Sequence, residues 1–195
     1  MVDQETGSLW SQMMGMAMRG PLVGNSLEKI PALMTTWSTW KAKYPDTTVF
    51  YMERTSGMYT RDFLGLDRGI GIGLVIDGES KFWDIGRLAS DVVVNDKLGK
   101  TSVLAVIDRA SLTAAVYSRH IGTRELTFEL VAGRLIDVET KSTWDILTGE
   151  AIAGDFNGQR LIPLPGISTA HAAWSLYYPD EDSLGPTLDQ AMPPE

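Results

Sequence analysis

Two short carboxylate patterns are the first residues in this sequence that could do chemistry. Asp3-Gln4-Glu5-Thr6 and Asp137-Val138-Glu139-Thr140 each set two carboxylates two residues apart, and Glu150 follows the second. Acid–base catalysis asks for two carboxyls in different environments, roughly 5–10 Å apart. Glu150 with Asp137 or Glu139 is therefore a candidate hydrolase pair. The same letters have a plainer use, because an Asp side chain accepts hydrogen bonds from the amides of a tight turn, and the turn is preferred. Asn95, Asp96 and Asp108 could offer oxygen ligands to a hard cation if their two hairpins converge. Met14, Met16 and Met18 alternate. On a strand their thioethers would share one face, suited to Cu(I) or, preferably, to core packing. The two histidines, His120 and His171, are distant in sequence. No metal and no cofactor is assigned.

The elements that must position these residues come in a repeat. Residues 2–46 align without a gap on residues 136–180, at a constant offset of 134, and 16 of 45 positions are identical. The identities include Asp3/Asp137, Glu5/Glu139, Trp10/Trp144, Gly20/Gly154, Trp40/Trp174 and Pro45/Pro179. Agreement of Gly, Trp and Pro in one register reads as an internal duplication. Each half reads as hairpin, hairpin, helix. Thr35 or Thr36 caps the first helix and Thr169 the second, and Pro45 and Pro179 stop them. The paired tryptophans are expected to be structural and mostly buried. Residues 1–47 are then the C-terminal half of a first unit, 48–180 a complete second unit, and 181–195 a loose acidic, proline-containing tail. Met1 is expected to lie inside a longer parent protein, whose N-terminal part is the expected partner.

The middle of the chain reads as a β-meander. Gly71–Ile76 and Lys81–Ile85 flank Asp77-Gly78-Glu79; Asp91–Val94 and Ser102–Ile107 flank a turn at 95–99; Ala114–Tyr117 and Glu125–Leu130 flank Gly122. A short helix is possible at Gly86–Ser90. Gly69-Ile70-Gly71-Ile72-Gly73 precedes a strand rather than a helix, so it reads as a turn or bulge and not as a phosphate loop. The fold class is α+β and β-rich, an internally duplicated hairpin and meander domain with one short helix per repeat half.

Composition narrows the function classes. The chain has 195 residues, 17 basic and 25 acidic, for a net charge of −8, and no cysteine. An acidic chain makes nucleic acid a poor partner. Without cysteine there is no thiolate nucleophile, thiolate metal site or disulfide. No apolar run approaches the roughly 18 residues of a membrane span, and the first seven residues lack the basic and apolar regions of a signal peptide.

Several strings here resemble the domain of unknown function 3179 family. They are Asp-x-Glu-Thr-x-Ser-x-Trp, Thr148-Gly149-Glu150-Ala151-Ile152-Ala153-Gly154, Trp174-x-x-x-Tyr178-Pro179 and the upstream Val93-Val94-Asn95-Asp96-Lys97-Leu98-Gly99. The resemblance covers about residues 2–180 and implies a bacterial or archaeal protein, with export suspected, but no established activity. Family members typically carry Cys-Pro-Leu-Cys where this chain has Asp108-Arg109-Ala110-Ser111. The resemblance thus implies a unit that has lost any thiol or metal chemistry. The first function expected is a non-catalytic scaffold or binding module. The alternatives are part of a thiol-redox or metal-dependent enzyme whose cysteines lie upstream, and a carboxylate-based hydrolase.

Overall fold

A computed structural model describes residues 1–50, 69–84, 92–108, 110–179 and 182–184. In chain order the elements are β1 (Leu9–Ser11), β2 (Met16–Arg19), helix α1 (Trp37–Lys43), β3 (Ile70–Ile76), β4 (Glu79–Asp84), β5 (Val92–Leu98), β6 (Thr101–Asp108) and β7 (Thr113–Ser118). Then follow β8 (His120–Ile121), β9 (Arg124–Glu125), β10 (Phe128–Val131), β11 (Arg134–Asp137), β12 (Thr143–Trp144), β13 (Ala151–Ala153), β14 (Ile167–Ala170), helix α2 (His171–Ser175) and β15 (Asp182–Leu184). The described chain is β-rich with two short helices. The possible helix at Gly86–Ser90 lies outside the described residues.

The antiparallel meander β5-β6-β7 is the central layer. Side chains alternate across a strand, so β6 and β7 present two apolar faces. Leu104, Val106, Ala115 and Tyr117 pack on Phe128, Leu135, Trp144, Phe156 and Leu161 from the sheet β10-β11-β12-β13 and the loop after it. Val103, Ala105, Ile107, Ala114 and Val116 pack on Ile72, Leu74 and Trp83 from the sheet β14-β3-β4-β15. Six consecutive β6 residues, Ser102 to Ile107, are buried, which is the pattern of a strand covered on both faces.

Three expectations about turns and strands are corrected. Residues 95–98 are not a turn: β5 continues through Asn95 and Asp96, which pair with Leu104 and Val103, and the chain reverses at Gly99-Lys100. Met14 lies in the turn between β1 and β2, so only Met16 and Met18 share a strand, and Met18 is exposed. Asp182–Leu184, assigned by composition to a loose tail, forms β15, parallel to β4.

Gly69 has φ +62°, as a turn requires, but Gly71 and Gly73 lie inside β3. A Cβ on Gly73 would run into the Trp174 ring, and one on Gly71 into the Phe82 ring and the Trp83 carbonyl. The glycines flatten β3 so that α2 can lay Trp174 on it. Trp174 is fully buried, 5.8 Å from Phe82 and 4.4 Å from Tyr178 between ring centroids.

The cap of α1 is as expected and that of α2 is not. Thr36 caps α1 by accepting from the Thr39 N–H. Thr169 does not cap α2, because it is paired with Gly71 in β14; Ala170 stands at the cap without a side-chain bond. Helix α2 ends at Ser175, four residues before Pro179, so the proline does not stop it. Trp144 and Trp174 are buried, whereas Trp10 and Trp40 are half-buried.

Candidate functional site

The two Asp-x-Glu-Thr stretches make the same closed arrangement. Asp137 Oδ1 accepts from the Thr140 N–H at 2.6 Å, and its Oδ2 accepts from Trp144 Nε1 at 2.9 Å. Asp3 Oδ1 accepts from the Thr6 N–H at 2.6 Å, and its Oδ2 from Trp10 Nε1 at 2.9 Å. The threonine hydroxyl meets a serine hydroxyl at 2.7 Å in both, Thr140 with Ser142 and Thr6 with Ser8. Each serine then accepts a distant N–H, from Phe156 at 3.2 Å and from Leu22 at 3.1 Å. Gly154 and Gly20 pass so close to those serines that an added Cβ would strike the serine Cα at 2.6 and 2.8 Å. The indole N–H of Trp10, helped by the Thr6 N–H, holds the Asp3 carboxyl down at about 2. Asp137 is fully buried. A carboxylate so engaged is a latch between a turn and a tryptophan.

Asn95 and Asp96 are staples. The Asn95 side chain accepts from the Phe128 N–H at 2.8 Å and donates to the Phe128 carbonyl at 2.7 Å, copying a backbone partner for β10. Asp96, on the opposite face of β5, accepts from Trp83 Nε1 at 3.1 Å and pairs with Lys81 at 3.1 Å. Burial pushes its carboxyl up, but the Lys97 N–H, Lys81 and Trp83 outweigh that and leave it below the usual range. Asp108 is at the far end of β6 from Val103 and Leu104. At ~3.3 Å per residue it lies roughly 13–17 Å along the strand from them. The oxygen ligands envisaged from Asn95, Asp96 and Asp108 therefore do not converge. Among the described residues, no three of His, Asp and Glu form a metal-binding group.

Asp108 and Ser111 do come together, across the β6–β7 turn. Asp108 Oδ2 accepts from Ser111 Oγ at 2.5 Å, and its Oδ1 accepts from the Ala110 N–H at 2.9 Å. The hydroxyl chain continues from Ser111 to Thr113 at 2.6 Å and on to Thr35 at 2.8 Å. Asp108, Ser111 and Thr113 line one side of an open cleft of about 710 Å³. Lys43 of α1 and Asp145 lie on it too, paired at 2.8 Å. The Lys43–Asp145 pair has no counterpart in the sequence patterns, since Asp145 matches Ser11 in the other half.

The remaining candidates are dispersed. Glu139 accepts the Thr127 N–H on both oxygens, at 3.0 and 2.9 Å. Glu150 pairs with Arg160 at 2.9 Å, and Glu5 is exposed. Asp137, Glu139 and Glu150 are thus engaged in three separate arrangements. His171 packs 5.1 Å from Phe82 between ring centroids. Sequence reasoning missed Arg119, whose guanidinium donates to the Leu126 carbonyl at 2.7 Å and pairs with Glu125 at 2.6 Å. A lone Arg beside His120 gave no signal for that role.

These features define a layered, β-rich domain whose polar side chains lock turns and neighbouring sheets. A family model described as a protein of unknown function, DUF3179, matches residues 1–66 and again residues 66–190, and the chain belongs to that family. No curated protein and no solved structure matches the chain. Among the described residues, no helix is long and apolar enough to cross a membrane.

Proposed function

We propose that this chain is a non-catalytic scaffold or binding module of a larger protein, built from the C-terminal half of one repeat unit and a complete second unit. The observation that carries this is the state of its polar candidates. Asp3, Asp137, Asn95, Asp96 and Glu139 each use their hydrogen-bonding capacity on the fold itself. Catalytic groups need a reachable proton or a reachable charge; these face backbone amides and indoles. The duplication is supported by the paired latches and by the two consecutive family matches. The partner on this reading is the N-terminal part of the parent protein.

One contact favours a second reading, an enzyme completed by a cysteine-bearing half elsewhere in the parent. Asp108 and Ser111, which stand where the resemblance places a cysteine pair, touch each other beside the 710 Å³ cleft. Calorimetric titration of the metal-free chain with Zn²⁺, Cu⁺ and Ca²⁺ tests the scaffold reading. It expects no stoichiometric binding, and micromolar binding of any of the three would overturn it.

A further inference from the structure

The first hairpin half carries an uncovered copy of a face that the second half buries. Leu161 is fully buried, but its match Leu27 is 54% exposed. Trp144 and Phe156 are buried, whereas Trp10 and Leu22 are only half-buried. The hairpins themselves match: the Leu161 N–H bonds the Gly149 carbonyl at 2.8 Å, and the Leu27 N–H bonds the Gly15 carbonyl at 2.7 Å. What differs is the layer outside. In the second half the face rests on Leu104, Val106, Ala115 and Tyr117 of the meander.

The backbone edge shows the same gap. Ser118 N–H bonds the Ile162 carbonyl, and Leu164 N–H bonds the Val116 carbonyl, both at 2.8 Å, so residues 162–164 add to β7. The matching Glu28 and Ile30 form no backbone hydrogen bond among the described residues, and Ile30 is 81% exposed. A groove of about 330 Å³ lined by Trp10, Met13, Leu27, Lys29, Ile30 and Pro165 runs along this edge. An edge with no backbone partner among the described residues, beside an apolar groove, is the arrangement that takes up an added strand.

We infer that this face docks a three-stranded β-meander of the same kind as Val92–Ser118, supplied by the N-terminal half of the first repeat unit in the parent polypeptide. The last strand of that meander pairs with residues 28–30, and its apolar face covers Leu27 and Trp10. The inference rests on the duplication proposed above. It commits to a meander because the second half shows what this module buries against, side chain by side chain.

The test joins a duplicate of residues 48–134 directly ahead of Met1, which the 134-residue offset makes the successor of an Arg134 equivalent. Hydrogen exchange at the Leu9–Met18 and Ile30 amides should slow by about tenfold or more. Leu27→Asp should lower the melting midpoint of the extended protein while leaving the original chain unchanged. Unaltered exchange, with Leu27→Asp silent in both proteins, would overturn the inference. So would a dimer of the original chain that Leu27→Asp abolishes, since the occupant would then be a second copy. If the duplicate does not fold, the parent polypeptide takes its place with the same readouts and outcomes. Metal binding in the titration above would remove the scaffold reading without touching this result.

Discussion

Asp137 and Asp3 make the same bonds in different surroundings, and the difference sets what each substitution costs. Removing the buried Asp137 carboxylate leaves the Trp144 indole N–H and the Thr140 amide without an acceptor. Asp137→Ala should cost about 3 kcal/mol, measured by urea denaturation. Asp3→Ala should cost less, because water reaches its site. Asp3 has a distinct pH signature. Its folded carboxyl titrates at about 2, below the ~3.9 of an unfolded Asp. The stability it contributes is therefore complete above about pH 4 and is lost as pH falls towards 2. Acid titration followed by tryptophan fluorescence should show this limb, and Asp3→Asn should flatten it. The latch residues were legible in the sequence as turn formers. The tryptophan as the second partner was not, because Trp lies seven residues on and only the hairpin brings it back.

At the scale of elements, β3 and the helices show where sequence patterns reached and where they stopped. Gly69-Ile70-Gly71-Ile72-Gly73 reads as a turn or bulge ahead of a strand, but Gly71 and Gly73 lie inside β3, and the reason for Gly73 is a ring from residue 174, which no local pattern carries. Gly73→Ala should destabilise by about 1–3 kcal/mol through overpacking against Trp174, and calorimetric melting checks it. Both helical tryptophans are expected to be mostly buried, and Trp174 is fully buried while Trp40 is half-buried. Trp174→Ala should cost about 3–5 kcal/mol. Trp40, half-buried against Tyr44 with its indole N–H on Thr47, should cost about 1–2 kcal/mol on truncation. Asn95-Asp96 was misread as a turn because both residues favour turns. Inside β5 their side chains instead satisfy the backbone of β10 and the side chains of β4, a tertiary use that overrides propensity.

For the whole molecule, the alternation of apolar residues announced a β-rich fold. The layering was not legible, because which sheet covers which face depends on pairings far apart in sequence, such as β14 with β3. On the scaffold role proposed above, the polar constellation serves the fold rather than a reaction. Residues kept for catalysis are commonly neutral or stabilising when replaced, since their sites trade stability for activity. Residues that hold the fold behave oppositely. The most direct measurement is the melting midpoint of Asn95→Ala and Asp96→Ala beside the unaltered chain. Loss of about 2 kcal/mol in each should lower the midpoint by about 4–8 °C. Midpoints that stay level or rise in both variants would contradict the claim.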